Sequence, residues 1–501
     1  MAAAHGEETP LLLDSGDAKE EDAQEQEMVG GIIDDAIDTL HLAAPIFISR
    51  VSFTGMKTTD TALLGHVSGE ALSAAALSDL WTMCTGVFIL GGAVSILVGQ
   101  AVGASNHKLA LVYLKISYFV LGLISIGVMI SWCYTEQIWI MLGQSRDIVA
   151  KDAGYYSFVF VFSIPAQLAF SQMSQFLSAQ RIMQPEVTTS MIALGFNLLL
   201  GSIFVLGFPI PGFDGLGFKA CPVVTVTVVW IQSIVLWTFF RGILKKDSSF
   251  AASKRDETTQ KHNFIFSLID GITFDRIRTF SGLYFPAALS LASDFWRMGL
   301  VGAVAATLGE REVGLFNASY RILWITLIFV GAISSASGVK IGLRLGRGHS
   351  LAAKQAGLVG ISLVLVCLFI LAMLVYNNTR MFGRIFTNDE SYLALFEECK
   401  MPFTATLFCM NLAVGIEAIP ISMGRTGSVF YCGLVASWLG QVPGVLLLLK
   451  FWRNDLFALY SGIAGGYFVL VFLYAYLVIN SDWKKYSEMA RKRVEVSEEA
   501  K

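Results

Sequence analysis

Polar and charged residues crowd into a few stretches of this chain, and between them lie apolar runs of about 20 residues. The runs cover 37–58, 76–98, 111–132, 157–177, 187–207, 221–241, 280–306, 318–338, 355–375, 400–421, 430–449 and 457–479. About 20 apolar residues is the length a helix needs to cross the hydrocarbon layer of a bilayer. Within lipid the backbone must satisfy its own hydrogen bonds, so each run is predicted as a helix. The expected fold is an all-α integral membrane protein of twelve spans. One long polar interruption, 242–279, holds Lys245, Lys246, Lys254, Arg255 and Lys261 and divides six spans from six. The predicted organisation is an acidic tail at 1–36, an N-lobe at 37–241, a linker at 242–279, a C-lobe at 280–479 and a charged tail at 480–501.

The basic residues orient the spans. Loops on the side of the two termini carry about 20 Lys and Arg against about 9 opposite, which predicts cytoplasmic termini and a cytoplasmic linker. Residues 1–28 are acidic, with no basic segment before an apolar run, so a cleaved signal peptide is not expected. Within them, Glu8 precedes Leu12 and Leu13 in EETPLLLD, a string similar to an acidic dileucine sorting signal and equally compatible with a solvated tail.

The halves read as copies. An offset of 243 carries Leu72 to Leu315, Ala75 to Ala318, Trp81 to Trp324, Gly99 to Gly342, Gly103 to Gly346 and Ala110 to Ala353, while Pro45 and Pro286 are offset by 241. Six spans separate the copies, so they share one topology. This predicts parallel repeats about an axis along the membrane normal, two pseudo-symmetric lobes around a central cavity, as in a transporter.

Composition narrows the function classes. Of 501 residues, 54% are hydrophobic and 15% charged, and mean hydropathy is +0.61; soluble domains carry about 25% charged residues. The net charge of −3 offers no basic face for nucleic acid. Seven cysteines (84, 133, 221, 367, 399, 409 and 432) stand singly, without a CxxC or Cys/His cluster, so neither a disulfide framework nor a zinc site is expected. No Ser/His/Asp arrangement can be read, and an enzyme is not expected. The GFDGLGF segment follows an apolar helix rather than a strand, which rejects a nucleotide-binding reading.

Charge inside a bilayer is costly, so carboxylates within spans are functional candidates. Asp60 ends the first span in GMKTTDTALLGH, Asp294 lies in the seventh in LSLASDFWRMGL, and Glu417 lies in the tenth in NLAVGIEAIPIS. Each also has a structural reading. Asp60 and Asp294 stand three residues from Lys57 and Arg297, the spacing of an intrahelical ion pair. Glu417 precedes Pro420 and could bond backbone groups that the proline frees. Gln100, Gln167, Gln172, Gln175, Asn197, Asn317 and Asn411 are further polar positions within spans, where bonding between helices competes with a role in a cavity. Aromatics lining such a cavity would suit organic cations.

Taken in order, these segments resemble the multidrug and toxic compound extrusion (MATE) family, eukaryotic type. Pro45 and Asp60, fifteen residues apart and followed by Thr61 and Gly65, are similar to its first helix. GGAVSILVGQAVGA (91–104), FLSAQRIMQPEV (176–187), SASGVKIGLRLGRG (335–348) and IFTNDE (385–390) match further family strings. The resemblance spans about 40 through 480. It implies that Asp60 is the N-lobe carboxylate, that Asp294 with Trp296 corresponds to the E-x-W of the seventh helix, and that Asn197 is a fifth-helix asparagine of a possible sodium site. The departures are Asp for Glu at 294, Gly299 for a second Glu, Gly201 for a polar residue after Asn197, and no acid at 411–413, where Glu417 substitutes from a nearby turn.

The expected function is export of organic compounds (organic cations, xenobiotics or secondary metabolites) by alternating access. The coupling ion is expected to be a proton, with sodium as the alternative and no other cofactor or metal. Asp294, Asp60 and Glu417 are the expected coupling residues, with Asn197, Gln100, Trp296, Asn317 and Asn411 as cavity or cation-site candidates. The partners are a small organic substrate and the bilayer. The chain is expected as a monomer in the plasma membrane or a vacuolar or endosomal membrane. A lipid-linked precursor flippase, which would need a cationic cavity, is the competing reading, with Arg50, Arg297 and Arg321 in its support.

Overall fold

The computed structural model describes residues 31–143, 148–246, 271–386 and 389–499. The dileucine-like string and most of the linker lie outside them. Among the described residues every long element is a helix. The first half contains α1 (Ile32–Val67), α2 (Gly69–Leu90), α3 (Ala93–Gly103), α4 (His107–Cys133), α5 (Thr135–Met141), α6 (Ile148–Val161), α7 (Ile164–Ser178), α8 (Gln184–Phe204) and α9 (Ala220–Lys246). The second contains α10 (Phe274–Ala306), α11 (Glu310–Gly346), α12 (Ser350–Asn377), α13 (Thr379–Arg384), α14 (Glu390–Glu398), α15 (Lys400–Ser422), α16 (Thr426–Leu434), a π-helical turn (Val435–Gln441), α17 (Val442–Phe451) and α18 (Leu456–Ile479). A terminal helix, α19 (Trp483–Glu499), follows.

Among the described residues nine helices are long and apolar enough to cross a membrane, or ten with α6 and α7 taken as one span bent by 53°. The other two long helices, α1 and α10, coincide with the first and seventh apolar runs and carry the charged candidates Lys57, Asp60, Asp294 and Arg297. Polar side chains start the helices where the chain reverses. Ser68 accepts the Ala71 amide at 3.0 Å, Asn106 the Leu109 amide at 2.9 Å and Asp455 the Ala458 amide at 3.0 Å, each satisfying a first-turn N–H that has no partner within the helix. Large apolar side chains such as Phe369 and Ile370 on α12 and Phe468 and Phe472 on α18 are exposed, as a lipid-facing surface requires.

The glutamines of α7 answer a break elsewhere. Between α2 and α3 the chain turns at Gly91, whose φ is +34°, and this frees carbonyls at the end of α2. The Leu90 carbonyl accepts Gln175 Nε2 at 2.7 Å and Gln172 Nε2 at 3.2 Å. The Tyr284 hydroxyl of the other half donates to the Phe88 carbonyl.

The two halves meet along α1, α3, α10 and α11. Gly99 faces Gly342, and a Cβ placed on Gly99 would lie 3.9 Å from the Gly342 Cα. A Cβ on Gly103 would run into the Leu343 carbonyl, and one on Gly346 into the Gln100 carbonyl. Residues related by the 243-residue offset therefore touch each other where the halves cross, and small side chains are what lets the backbones approach. Nearer the termini, buried Lys340 lies 2.5 Å from Asp35 and 3.0 Å from Asp38. Arg344 holds Asp35 through both guanidinium nitrogens at 2.9 and 2.6 Å, and Arg181 pairs with Asp38. Arg50 donates to Ser335 at 2.7 Å, and the rings of Phe47 and Phe329 pack at 4.6 Å. These contacts close the molecule at the end that carries the termini.

Candidate functional site

Asp60 is 4% exposed on α1. Its carboxylate accepts Asn197 Nδ2 of α8 at 3.0 Å and the Thr225 hydroxyl of α9 at 2.9 Å. Three helices therefore supply one buried acid and two neutral hydrogen-bond donors, which add to the longer-range pull of Lys57 on the same carboxylate. The intrahelical pairing of Asp60 with Lys57 does not form. Lys57 turns to Asp79 on α2 at 2.8 Å and lies over the Phe160 ring. Thr225 escaped the sequence reading because a threonine in VVTVTVVW is indistinguishable from one that bonds its own helix, as Thr225 also does toward the Cys221 carbonyl at 3.1 Å. Asp79, an acid within the apolar run 76–98, is a clearer sequence signal. Gly201 leaves its position to Leu63, whose side chain a Cβ there would strike.

In the C-lobe the spacing of three does make an ion pair. Arg297 Nη2 lies 2.9 Å from Asp294 Oδ1, with the arginine side chain 1% and the aspartate side chain 46% exposed. Arg297 also donates to Ser437 Oγ at 2.8 Å and Gln441 Oε1 at 2.7 Å through Nη1, and to the Tyr467 hydroxyl at 2.8 Å through Nη2. Ser437 and Gln441 belong to the π-helical turn. Pro443 follows it and has no N–H to continue the α pattern, which accounts for the wider turn. Trp438 of the same turn donates to Ser293 at 2.7 Å. Glu417, half-buried on α15, lies within electrostatic reach of both Asp294 and Arg297. Pro420 lies further along the same helix, yet Glu417 makes no hydrogen bond to backbone among the described residues.

The remaining candidates separate from these clusters. Gln100 sits at the junction of the halves, donating to the Ser422 carbonyl at 3.3 Å and accepting from Arg493 at 3.0 Å. Asn411 is buried and holds α15 to α11 through the Thr326 hydroxyl at 3.0 Å. Both serve packing. Trp296 and Asn317 are exposed and share no hydrogen bond with the three carboxylates. The structure thus brings Asn197 to Asp60, and Glu417 to Asp294.

The description "MatE" belongs to a family model that matches residues 45–203 and 286–446 of this chain. The chain belongs to the MatE family. Its two matched segments start at Pro45 and Pro286, the prolines that the repeat pairs, and each covers most of one lobe. Among similar proteins, "Multidrug and toxin extrusion protein 1" of Xenopus tropicalis is 24% identical over 92% of this chain and 76% of its own. "Protein DETOXIFICATION 17" of Arabidopsis thaliana is 24% identical over 92% and 93%. "Multidrug resistance protein NorM" of Vibrio cholerae is 26% identical over 84% and 89%. The crystal structure of the eukaryotic MATE transporter AtDTX14 matches with a TM-score of 0.81 at 20% identity, covering 93% of this chain and all of that one; at that identity the match carries the fold. As a MatE protein the chain is a multi-pass membrane transporter of the multidrug and toxin extrusion type and not an enzyme.

Proposed function

We propose that this MatE protein exports organic cations in exchange for protons, using the C-lobe carboxylates Asp294 and Glu417 as the exchange site and Asp60 as a second proton site in the N-lobe. The observation that carries the reading is a half-exposed Asp294 within electrostatic reach of Glu417, which makes no hydrogen bond among the described residues. A carboxylate at this site can take either a proton or a positively charged substrate, so proton and substrate displace each other. Coupling requires only that occupancy changes the balance between states open to either side. A membrane potential adds about 2.3 kcal/mol per charge per 100 mV to the driving force. We place the protein, as a monomer, in the plasma membrane or a vacuolar or endosomal membrane.

Asp60 supports protons over sodium because its neighbours are one amide and one hydroxyl, while Gly201 supplies no side-chain oxygen. The flippase reading draws less support from Arg297, which is paired with Asp294, while Arg50 donates to neutral Ser335 and keeps its charge. The test is uptake of a fluorescent organic cation into proteoliposomes under a proton gradient and, separately, a sodium gradient. Proton-driven uptake that Asp294→Asn abolishes in a folded protein is expected. Normal uptake by that variant sinks the assignment, and sodium-driven flux would transfer coupling to the surroundings of Asp60.

A further inference from the structure

Arg297 is a buried positive charge beside the proposed cation-exchange site. It is 1% exposed on α10, and a guanidinium does not lose its proton in a protein. Its terminal nitrogens are held from three directions: Asp294 on its own helix, Ser437 and Gln441 on the π-helical turn, and Tyr467 on α18. Such a fork is fixed in place, because planar guanidinium geometry matches several acceptors at once. The other titratable groups around it are Glu417 on α15, Tyr320 on α11 and Tyr474 on α18. Phenols are neutral at ordinary pH. The charges in the cluster are therefore two carboxylates and one guanidinium.

We propose that Arg297 is a resident counter-cation that sets the charge selectivity of the C-lobe site: it pairs with Asp294 and leaves Glu417 as the carboxylate without an ion-pair partner. The site then accommodates one positive charge per cycle, either a single proton or a monovalent organic cation. A divalent cation would meet Arg297 as a repelling charge that the protein cannot remove. The π-helical turn contributes by holding Ser437 and Gln441 against the guanidinium, so that it cannot swing away to make room. In this division Glu417 exchanges, and Asp294 is a positioning residue that acts through Arg297. Asp294→Asn would abolish exchange because it leaves Arg297 to cancel Glu417. This rests on the antiport reading above.

The experiment uses the full chain in proteoliposomes, with tetraphenylphosphonium as monovalent and methyl viologen as divalent probe. Proton-to-substrate ratios are taken from the substrate gradient that balances an imposed pH gradient at zero membrane potential. The wild-type protein should exchange one proton per tetraphenylphosphonium, without net charge movement, and should prefer it to methyl viologen. Arg297→Gln should shift the preference toward the divalent probe by roughly tenfold, the effect of gaining one charged contact, and raise the proton count toward two. Arg297→Lys, which retains the charge, should keep the wild-type preference. A merely structural arginine would change rates for both probes alike. The proposal is overturned if the wild-type protein moves two protons per monovalent cation, or if folded Arg297→Gln keeps the wild-type ratio. The wild-type proton count decides even where Arg297→Gln fails to fold. Absence of exchange under every gradient would overturn the antiport reading itself, a result distinct from exchange with the wrong stoichiometry.

Discussion

The first helix of each half carries a basic and an acidic residue three positions apart, and the two halves use them in opposite ways. In the N-lobe, Lys57 and Asp60 part company: the lysine goes to Asp79 on α2, and the aspartate to neutral donors on α8 and α9. In the C-lobe, Asp294 and Arg297 stay together, and the arginine gathers three further partners. The cause is what each acid meets around it. Asp60 is enclosed by Asn197 and Thr225, which supply its hydrogen bonds, and Lys57 acts on it only from a distance. Asp294 faces open space, while the guanidinium beside it is the group that is fully enclosed. A spacing of three on a helix permits an ion pair; the surrounding helices decide whether it forms.

The contrast can be broken most readily at the two acids. Asp294→Asn is expected to lower proton-driven uptake by at least ~100-fold, and Asp60→Asn by ~10-fold, as losses of transition between loaded and unloaded states; equal losses in a proteoliposome flux assay would mean that the lobes share the work evenly. Next in size is Arg297→Met, which strands Gln441 and Ser437 in a dry site and should cost about 3 kcal/mol. A thermal-shift measurement that finds no destabilisation would remove the fixed fork. Thr225→Val should cost about 1–2 kcal/mol by taking a hydrogen bond from a buried carboxylate. It should also slow transport without changing which gradient drives it; a switch from proton to sodium dependence would contradict the role given to Asp60. The smallest effect belongs to Lys57→Met, at or below ~1 kcal/mol, because the Lys57–Asp79 pair is about one-third exposed and solvent screens it. A loss as large as that of Arg297→Met would erase the difference between the lobes.

The wrong partner assigned to Lys57 and the missing Thr225 have one origin. Sequence reasoning ranks neighbours along a helix, where Lys57 and Asp60 are a turn apart. The bonds that form join Asp60 to residues 137 and 165 positions away. Asn197 was nevertheless legible, through the resemblance of its helix to the family. Glu417 was legible too, since an acid in an apolar helix stands out wherever the helix ends up. Gln100 and Asn411 stand out by the same rule, and their amide N–H groups bond to neighbouring helices.

What the sequence determined by itself was the all-helical, membrane-spanning character of the chain and its family. These depend on apolar length and local order, which the bilayer reads one helix at a time. Only the tertiary structure decided which charges neutralise each other, that equivalent glycines of the two repeats meet where the halves cross, and that a π-helical turn holds Arg297 in place. Those outcomes depend on distances between helices far apart in the chain, and electrostatic and hydrogen-bond energies fall off within a few ångströms of a partner whose position no local pattern encodes.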